Sequence, residues 1–294
     1  MKILITGGSG FLGQYLNISL AEKYSIVTTY NNNPGNCNKY NNVRIDLRNS
    51  SELKKLFTKF LPDVVIHTAA VSDSILSSNL STKDVYDINV NVTEELAKLC
   101  KEFNSKLIYT STDLVYAGYR GSYLNEDSKL IPVSLYAETK LMGEVKIKQT
   151  FNNYIILRTA LLFGFGLNQS ICHFQFVYEQ LKNNKPVRVF TDQFRSPISV
   201  IETSRLISEM IAKDISGEVL NFGGPERVSR YELAERLCDL TGLNKDLLIK
   251  IKLDDMPELP KVEDVSLNIE KMKSFGLIPR PLNEMITEVL NNKV

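Results

Sequence analysis

The sequence predicts an α/β chain, a doubly wound parallel sheet with a smaller, interwoven C-terminal region. Three observations carry this. The first half alternates short β-branched runs with longer amphipathic stretches, the pattern of parallel strands joined by crossover helices. A glycine-rich turn, Gly7 to Gly13, stands at the first strand-to-helix junction. After about Leu162 the alternation loosens into connections containing Gly, Asn and Pro.

Taken in order, strands are predicted over residues 2–6, 25–30, 43–45, 64–67, 106–111 and 154–158. Helical periodicity fills 11–23, 51–60, 85–103 and 135–149, each long enough to cross between parallel strands. This is a Rossmann arrangement. The Asn-rich stretch 31–42 reads as a surface loop. In the second half, strands are expected near 187–190 and 219–222 and helices near 201–213 and 229–241. Some of these strands are expected to return to the first sheet, so the boundary near Gly164 separates interwoven regions, 1–164 and 165–294, rather than beads on a linker.

At 294 residues, one large α/β unit with an appendage is the natural size. With 43% hydrophobic residues, 23% charged and a net charge of +1, the composition excludes disordered and membrane classes. It also lacks the basic excess of a nucleic-acid binder. The first strand begins beside Met1 and no apolar run approaches a membrane span, so a cytoplasmic protein without a leader is expected. Cys37, Cys100, Cys172 and Cys238 are scattered, and His67 and His173 alone accompany them, so reduced thiols and no metal are expected.

In Thr6–Gly13, Gly7 permits a tight turn, Gly10 admits a pyrophosphate to the backbone, and Gly13 lets the helix pack on the sheet. The helix N-terminus, with Phe11 and Leu12, presents unpaired N–H groups to phosphate. Residues 1–164 are therefore read as the dinucleotide-binding domain and 165–294 as mainly a substrate-binding region. Asp46 is positioned to accept from an adenine amino group while Leu47 packs on the ring; the alternative for Asp46 is a helix N-cap. Ala69 and Ala70 are small enough for a cofactor to lie against the strand end, and Tyr30 closes the second strand beside it.

Reducing a ketone needs a proton for oxygen as well as a hydride for carbon. A Tyr followed four residues later by Lys fits, because an ammonium on the same helix face stabilises the phenolate. The spacing occurs twice, at Tyr136/Lys140 and Tyr178/Lys182. Position favours the first, since Tyr136 opens the helix after the fifth strand, whose end carries Thr112 and Asp113. Thr112 would donate to the same carbonyl and Asp113 would contact substrate hydroxyls. Tyr178/Lys182 reads as a solvated helix face.

Together, Thr6–Gly13, Asp46-Leu47, Asn89, Thr112, the run Tyr136 to Lys140 and Asn221 to Gly224 resemble the extended short-chain dehydrogenase/reductase family over nearly the whole chain. Residues 111–116 and 136–144 most resemble its branch that uses NAD(P)H to reduce the 4-keto group of dTDP-linked deoxyhexoses. The resemblance implies Tyr136 as acid, Lys140 as its activator and ribose contact, and Thr112 as carbonyl-orienting hydroxyl. It also implies Asn89 as a helix-bending residue holding a water.

Two departures stand out. Ile75 and Ser78 replace acidic residues usual after the fourth strand, and Leu114 replaces the glutamate that 4,6-dehydratases need, so reduction without dehydration is expected. Arg195 is a candidate clamp for a substrate diphosphate, or else a surface or interdomain salt bridge. Residues 29–33, Thr-Tyr-Asn-Asn-Asn, carry no carboxylate to repel a 2′-phosphate and no arginine to grip one, so NADP(H) is expected to be preferred slightly with NAD(H) accepted. A nucleotide sugar is the expected partner and a homodimer the expected oligomer. The rivals are a nucleotide-sugar epimerase and a non-catalytic, reductase-like regulatory subunit; joint retention of Tyr136, Lys140 and Thr112 argues against the latter.

Overall fold

The computed structural model describes residues 1–72, 80–119, 121–168 and 172–293. Strands β1 (Lys2–Thr6), β2 (Ser25–Tyr30), β3 (Asn42–Arg44), β4 (Val64–His67), β5 (Lys106–Thr112), β6 (Tyr154–Thr159) and β7 (Glu218–Phe222) form one parallel sheet. Their order is β7-β6-β5-β4-β1-β2-β3. The winding reverses between β1 and β4, which opens a crevice beyond their C-terminal ends. Buried on both faces, the central strands are largely apolar: Ile3 and Ile5 enter one core while Leu4 enters the other. Helices α1 (Phe11–Ala21) and α7 (Val200–Ile211) cover the first face. The second is covered by α2 (Ser50–Phe60), α4 (Val92–Glu102) and α5 (Leu135–Thr150).

The two halves of the chain are interwoven. Strand β7 comes from beyond residue 164 yet pairs with β6 along its whole length, Glu218 opposite Ile155 to Phe222 opposite Thr159. One core runs continuously from Ile3 to Val289. Short ladders shape the rest: Leu162–Phe163 with Ile198–Ser199, Val187–Phe190 with Leu248–Ile251, and Phe194–Arg195 with Val228–Ser229. The last of these matters for the site. It sets Arg195 opposite Val228 and Phe194 opposite Ser229, the N-cap of α8 (Arg230–Thr241), and so brings Arg230 into the same neighbourhood.

Two expectations are corrected. The predicted single helix over 85–103 is instead α3 (Thr82–Tyr86), a π-helical turn (Asp87–Asn91) and α4. Ser81 and Asp84 close a capping box, which starts the helix earlier than the apolar periodicity suggests. The wide turn follows from Asn89, whose side chain is held elsewhere, as described below. The stretch 31–42 is also no plain surface loop, because Asn36 and Cys37 are buried. Asn36 donates to Gln14 Oε1 (3.0 Å) from its backbone and to the Gln14 carbonyl (2.9 Å) from its amide, while Asn17 donates to Asn36 Oδ1 (2.8 Å). Asparagine amides replace missing backbone partners and tuck the loop onto α1. The four cysteines are free thiols. Among the described residues no helix is long and apolar enough to cross a membrane.

Candidate active site

The glycine turn leads from β1 into α1 along the crevice. Gly7 has φ +71°, and a Cβ there would stand 2.6 Å from the Ala69 amide nitrogen. A Cβ on Gly13 would run into the Gly7 carbonyl oxygen and stand 2.7 Å from Gly8 Cα. These two contacts fix how closely α1 approaches the ends of β1 and β4. Gly10 is the N-cap of α1 and supplies no side-chain cap, and the first turn carries no acidic residue. No acidic side chain of that turn competes for its open N–H groups. Phe11 and Leu12 follow, half-buried and buried.

At the end of β5, Ser111, Thr112 and Asp113 are all buried. The Thr112 hydroxyl donates to Asp113 Oδ1 (3.2 Å) and accepts from the Leu114 backbone N–H (3.2 Å). Helix α5 is capped by Ser134, which accepts from the Ala137 N–H (3.3 Å), so Tyr136 lies in its first turn. Lys140, one turn on, is 2% exposed. Its Nζ lies 4.1 Å from the centre of the Tyr109 ring, and the Tyr109 hydroxyl donates to the Lys140 carbonyl (3.2 Å). Burial pushes the ammonium down to about 7, against the charge of Glu144 one further turn along. Asn89 ties the neighbouring segments together. Its side chain accepts from the Val71 N–H (2.8 Å) and donates to the Val71 carbonyl (3.0 Å) and to Thr139 Oγ1 (3.0 Å).

A cavity of about 860 Å³ joins these parts. Gly10, Phe11 and Leu12 line it, together with Thr112, Asp113 and Tyr136. So do two arginines, Arg195 and Arg230. Arg195 is buried, with Nε 3.9 Å from Asp113 Oδ2, and is therefore no surface salt bridge. Burial pushes the Arg230 guanidinium down to about 10, and the charge of Arg195 adds to the effect. Among the described residues no group donates to Asp113 Oδ2, and burial raises the carboxyl above its ordinary range while Arg195 opposes the rise. Two cations and one incompletely bonded carboxylate thus face one cavity.

The remaining predicted positions are dispersed. Ala70 lines the cavity, Ala69 abuts Gly7, and Tyr30 ends β2 half-buried. Leu47 packs on the second core. Asp46 is no N-cap, a place taken by Asn49, which accepts from Glu52. Its carboxylate is gripped by Arg48 (2.7 to 3.1 Å), which holds it below the usual carboxylate range. Ile75 and Ser78 lie outside the described residues. Tyr178 is no solvated face either: it is half-buried, stacks edge-on against Phe165 at 5.1 Å, and carries the Lys293 ammonium 3.8 Å from its ring. Lys182 is exposed. Sequence reading missed Arg230 and Tyr109. Arg230 is the first residue inside a Ser-x-x-Glu cap signal, Ser229 to Glu232, which fixed its element but carried no hint of its cavity.

Fold and site together place the chain among the extended short-chain dehydrogenases/reductases, a class of NAD(P)-linked oxidoreductases. More narrowly, the family described as RmlD substrate binding domain matches residues 1–294, and the chain belongs to that family. It is 27% identical to the dTDP-4-dehydrorhamnose reductase of Aggregatibacter actinomycetemcomitans, over 95% of this chain and 94% of that protein. It is 26% identical to methionine adenosyltransferase 2 subunit beta of Xenopus laevis, over 98% and 87%. In fold it matches the crystal structure of dTDP-4-dehydrorhamnose reductase from Bacillus anthracis in complex with NADP. That likeness has a TM-score of 0.85 at 21% identity and covers 99% of each chain.

Proposed function

We propose that this protein reduces the keto group of a nucleotide-linked 4-keto-6-deoxysugar with NAD(P)H. One observation carries the reading: the glycine turn, the Thr112/Tyr136 pair and two arginines bound one cavity. In this reading residues 1–164 hold the dinucleotide and 165–294 mainly the sugar nucleotide. The turn fits a dinucleotide because a Cβ at Gly7 would fill the approach to Ala69 and the N-terminus of α1 is uncapped. When bound, the reduced nicotinamide supplies the hydride.

The chain's own residues manage the proton and the pose. Tyr136 gives its phenolic proton to the keto oxygen, and the Lys140 ammonium one turn away stabilises the phenolate left behind. Lys140 serves this role only while charged, so its burial against the Tyr109 ring makes charge retention sensitive to what else fills the site. Thr112 turns its hydroxyl from Asp113 to the keto oxygen, freeing Asp113 for sugar hydroxyls. Arg195 and Arg230 receive the diphosphate, whose oxygens suit planar guanidinium groups. Leu114, also on the cavity wall, has no proton to give or take, which leaves reduction without dehydration.

The test offers purified protein dTDP-4-keto-6-deoxyglucose or dTDP-4-dehydrorhamnose with NADPH and follows absorbance of the reduced cofactor. Turnover is expected, with a product two hydrogens heavier. Tyr136→Phe is expected to lower kcat at least about a hundredfold while binding cofactor, and Tyr178→Phe to leave it unchanged. dTDP-glucose with NAD is expected to give no 4-keto product. Absence of turnover with every keto sugar, alongside intact cofactor binding, would favour a regulatory role instead.

A further inference from the structure

At the far side of the same crevice, an arginine from β3 occupies the position that the residues following β2 leave without a cation. Arg44 is the last residue of β3 and pairs in register with Tyr30, the last residue of β2. Its Nε donates to the Asn31 carbonyl (3.0 Å), which pins the exposed guanidinium against the chain as it leaves β2. The terminal amino groups make no ion pair with a carboxylate among the described residues, and the nearest acid in sequence, Asp46, is engaged by Arg48.

This corner is rigidly attached to the glycine turn. The Gly8 N–H donates to the Thr29 carbonyl (2.8 Å), so the end of β2 touches the turn directly. A Cβ on Gly35, whose φ is +53°, would stand 2.9 Å from the Gln14 amide and 3.3 Å from Ser9 Cα, so the loop after Asn31 is folded down against α1. Asn36 locks it there through Gln14 and Asn17. In a doubly wound sheet, a dinucleotide cradled by the first turn lays its adenosine ribose at the end of the second strand. A ribose 2′-hydroxyl finds no carboxylate at Tyr30 to Asn33, whereas a 2′-phosphate meets a guanidinium already oriented by its Nε bond.

We propose that Arg44 is the specificity-determining residue for the adenosine 2′-phosphate and makes the protein prefer NADPH over NADH. The inference rests on the dinucleotide reading above but is independent of the sugar. Binding of NADPH and NADH to the purified protein is followed by the fluorescence of the reduced nicotinamide, without any sugar nucleotide, for wild type, Arg44→Ala and Arg44→Lys. Wild type is expected to bind NADPH more tightly by on the order of ten- to a hundredfold, the worth of hydrogen bonds to a charged group. Arg44→Ala is expected to remove most of that difference with NADH binding changed less than about twofold, and Arg44→Lys to restore part of it as a point charge without the fork. Because Arg44 is exposed, the variants keep the fold, which thermal unfolding checks. Equal weakening of both cofactors, or undiminished NADPH preference in Arg44→Ala, would overturn the assignment of Arg44 alone. Failure of wild type to bind either dinucleotide would overturn the dinucleotide reading and this assignment with it.

Discussion

Ser111 and Thr112, adjacent at the end of β5, each donate to a different buried acid that an arginine faces. Ser111 donates to Glu144 (2.6 Å), which also accepts from Arg158 Nε (3.1 Å) and Nη2 (2.9 Å). Arg158 places its other donor on the Tyr116 hydroxyl (2.9 Å) and the Glu126 carbonyl (2.7 Å), and the Tyr116 hydroxyl donates to Asn221 Oδ1 (2.6 Å). Burial works against the Arg158 charge, yet its bonds to Glu144 carry its pKa above the ordinary arginine range. Thr112 leads to the opposite case. Among the described residues Asp113 takes one bond from Thr112, its second oxygen takes none, and the guanidinium of Arg195 stays 3.9 Å away. A buried charge with every bond made holds a fold together, whereas one left incomplete costs stability unless a ligand completes it. The first cluster joins β5, β6, α5 and β7; the second faces the cavity.

This contrast is open to direct test. The largest effect is expected for Arg158→Ala, which leaves the buried Glu144 carboxylate without its guanidinium partner: a loss of about 3–5 kcal/mol in denaturant unfolding. A loss below about 1 kcal/mol would make the two clusters alike and remove the distinction. Lys140→Met comes next. The folded pKa of Lys140, about 7, lies below its ordinary 10.5, so between these values the unfolded chain holds a proton that the folded one lacks. Unfolding free energy therefore rises with pH across that window, by up to about 1.4 kcal/mol per unit, and burial of the charge is most costly below pH 7. Lys140→Met is expected to flatten that slope in melts run from pH 7 to 10; an unchanged slope would place the proton elsewhere. The smallest stability change is expected for Asp113→Asn, within about 1 kcal/mol, because it removes a charge whose second oxygen was never bonded. The same change is expected to raise KM for the sugar nucleotide about tenfold or more. A stability loss like that of Arg158→Ala would show Asp113 to be structural.

The sheet was legible because periodicity reports burial, and six strands of the sheet fall within a residue or so of their expected limits. Strand β7 was legible as a strand, and a return of some later segments to the first sheet was expected because they still read as sheet strands. What sequence could not give was side-chain destination. Asn89 breaks a regular helix because its amide bonds the main chain of Val71, a contact across 18 positions that no local pattern encodes. Asn36 is polar and buried for the same reason. At the site, the two Tyr-x-x-x-Lys segments were told apart by position alone; the structure adds that Tyr109 sits under Lys140, whereas Lys293 and not Lys182 sits over Tyr178. Arg44 was invisible because its neighbour in space, Asn31, lies one strand away.

The place of β7 in the sheet bears on how the chain is born. Synthesis runs from the N-terminus, so β6 emerges with its outer edge bare, a row of open N–H and C=O groups beside Leu157 and Ile155. That edge stays open through Leu162–Phe163, α6 (His173–Lys182) and all of α7, until Glu218–Phe222 arrives to close it. The nascent protein therefore passes through a long interval in which its sheet is a template for any extended strand nearby. In such a chain the last strand to pair is a stopper as well as a structural member, and native folding waits on its arrival.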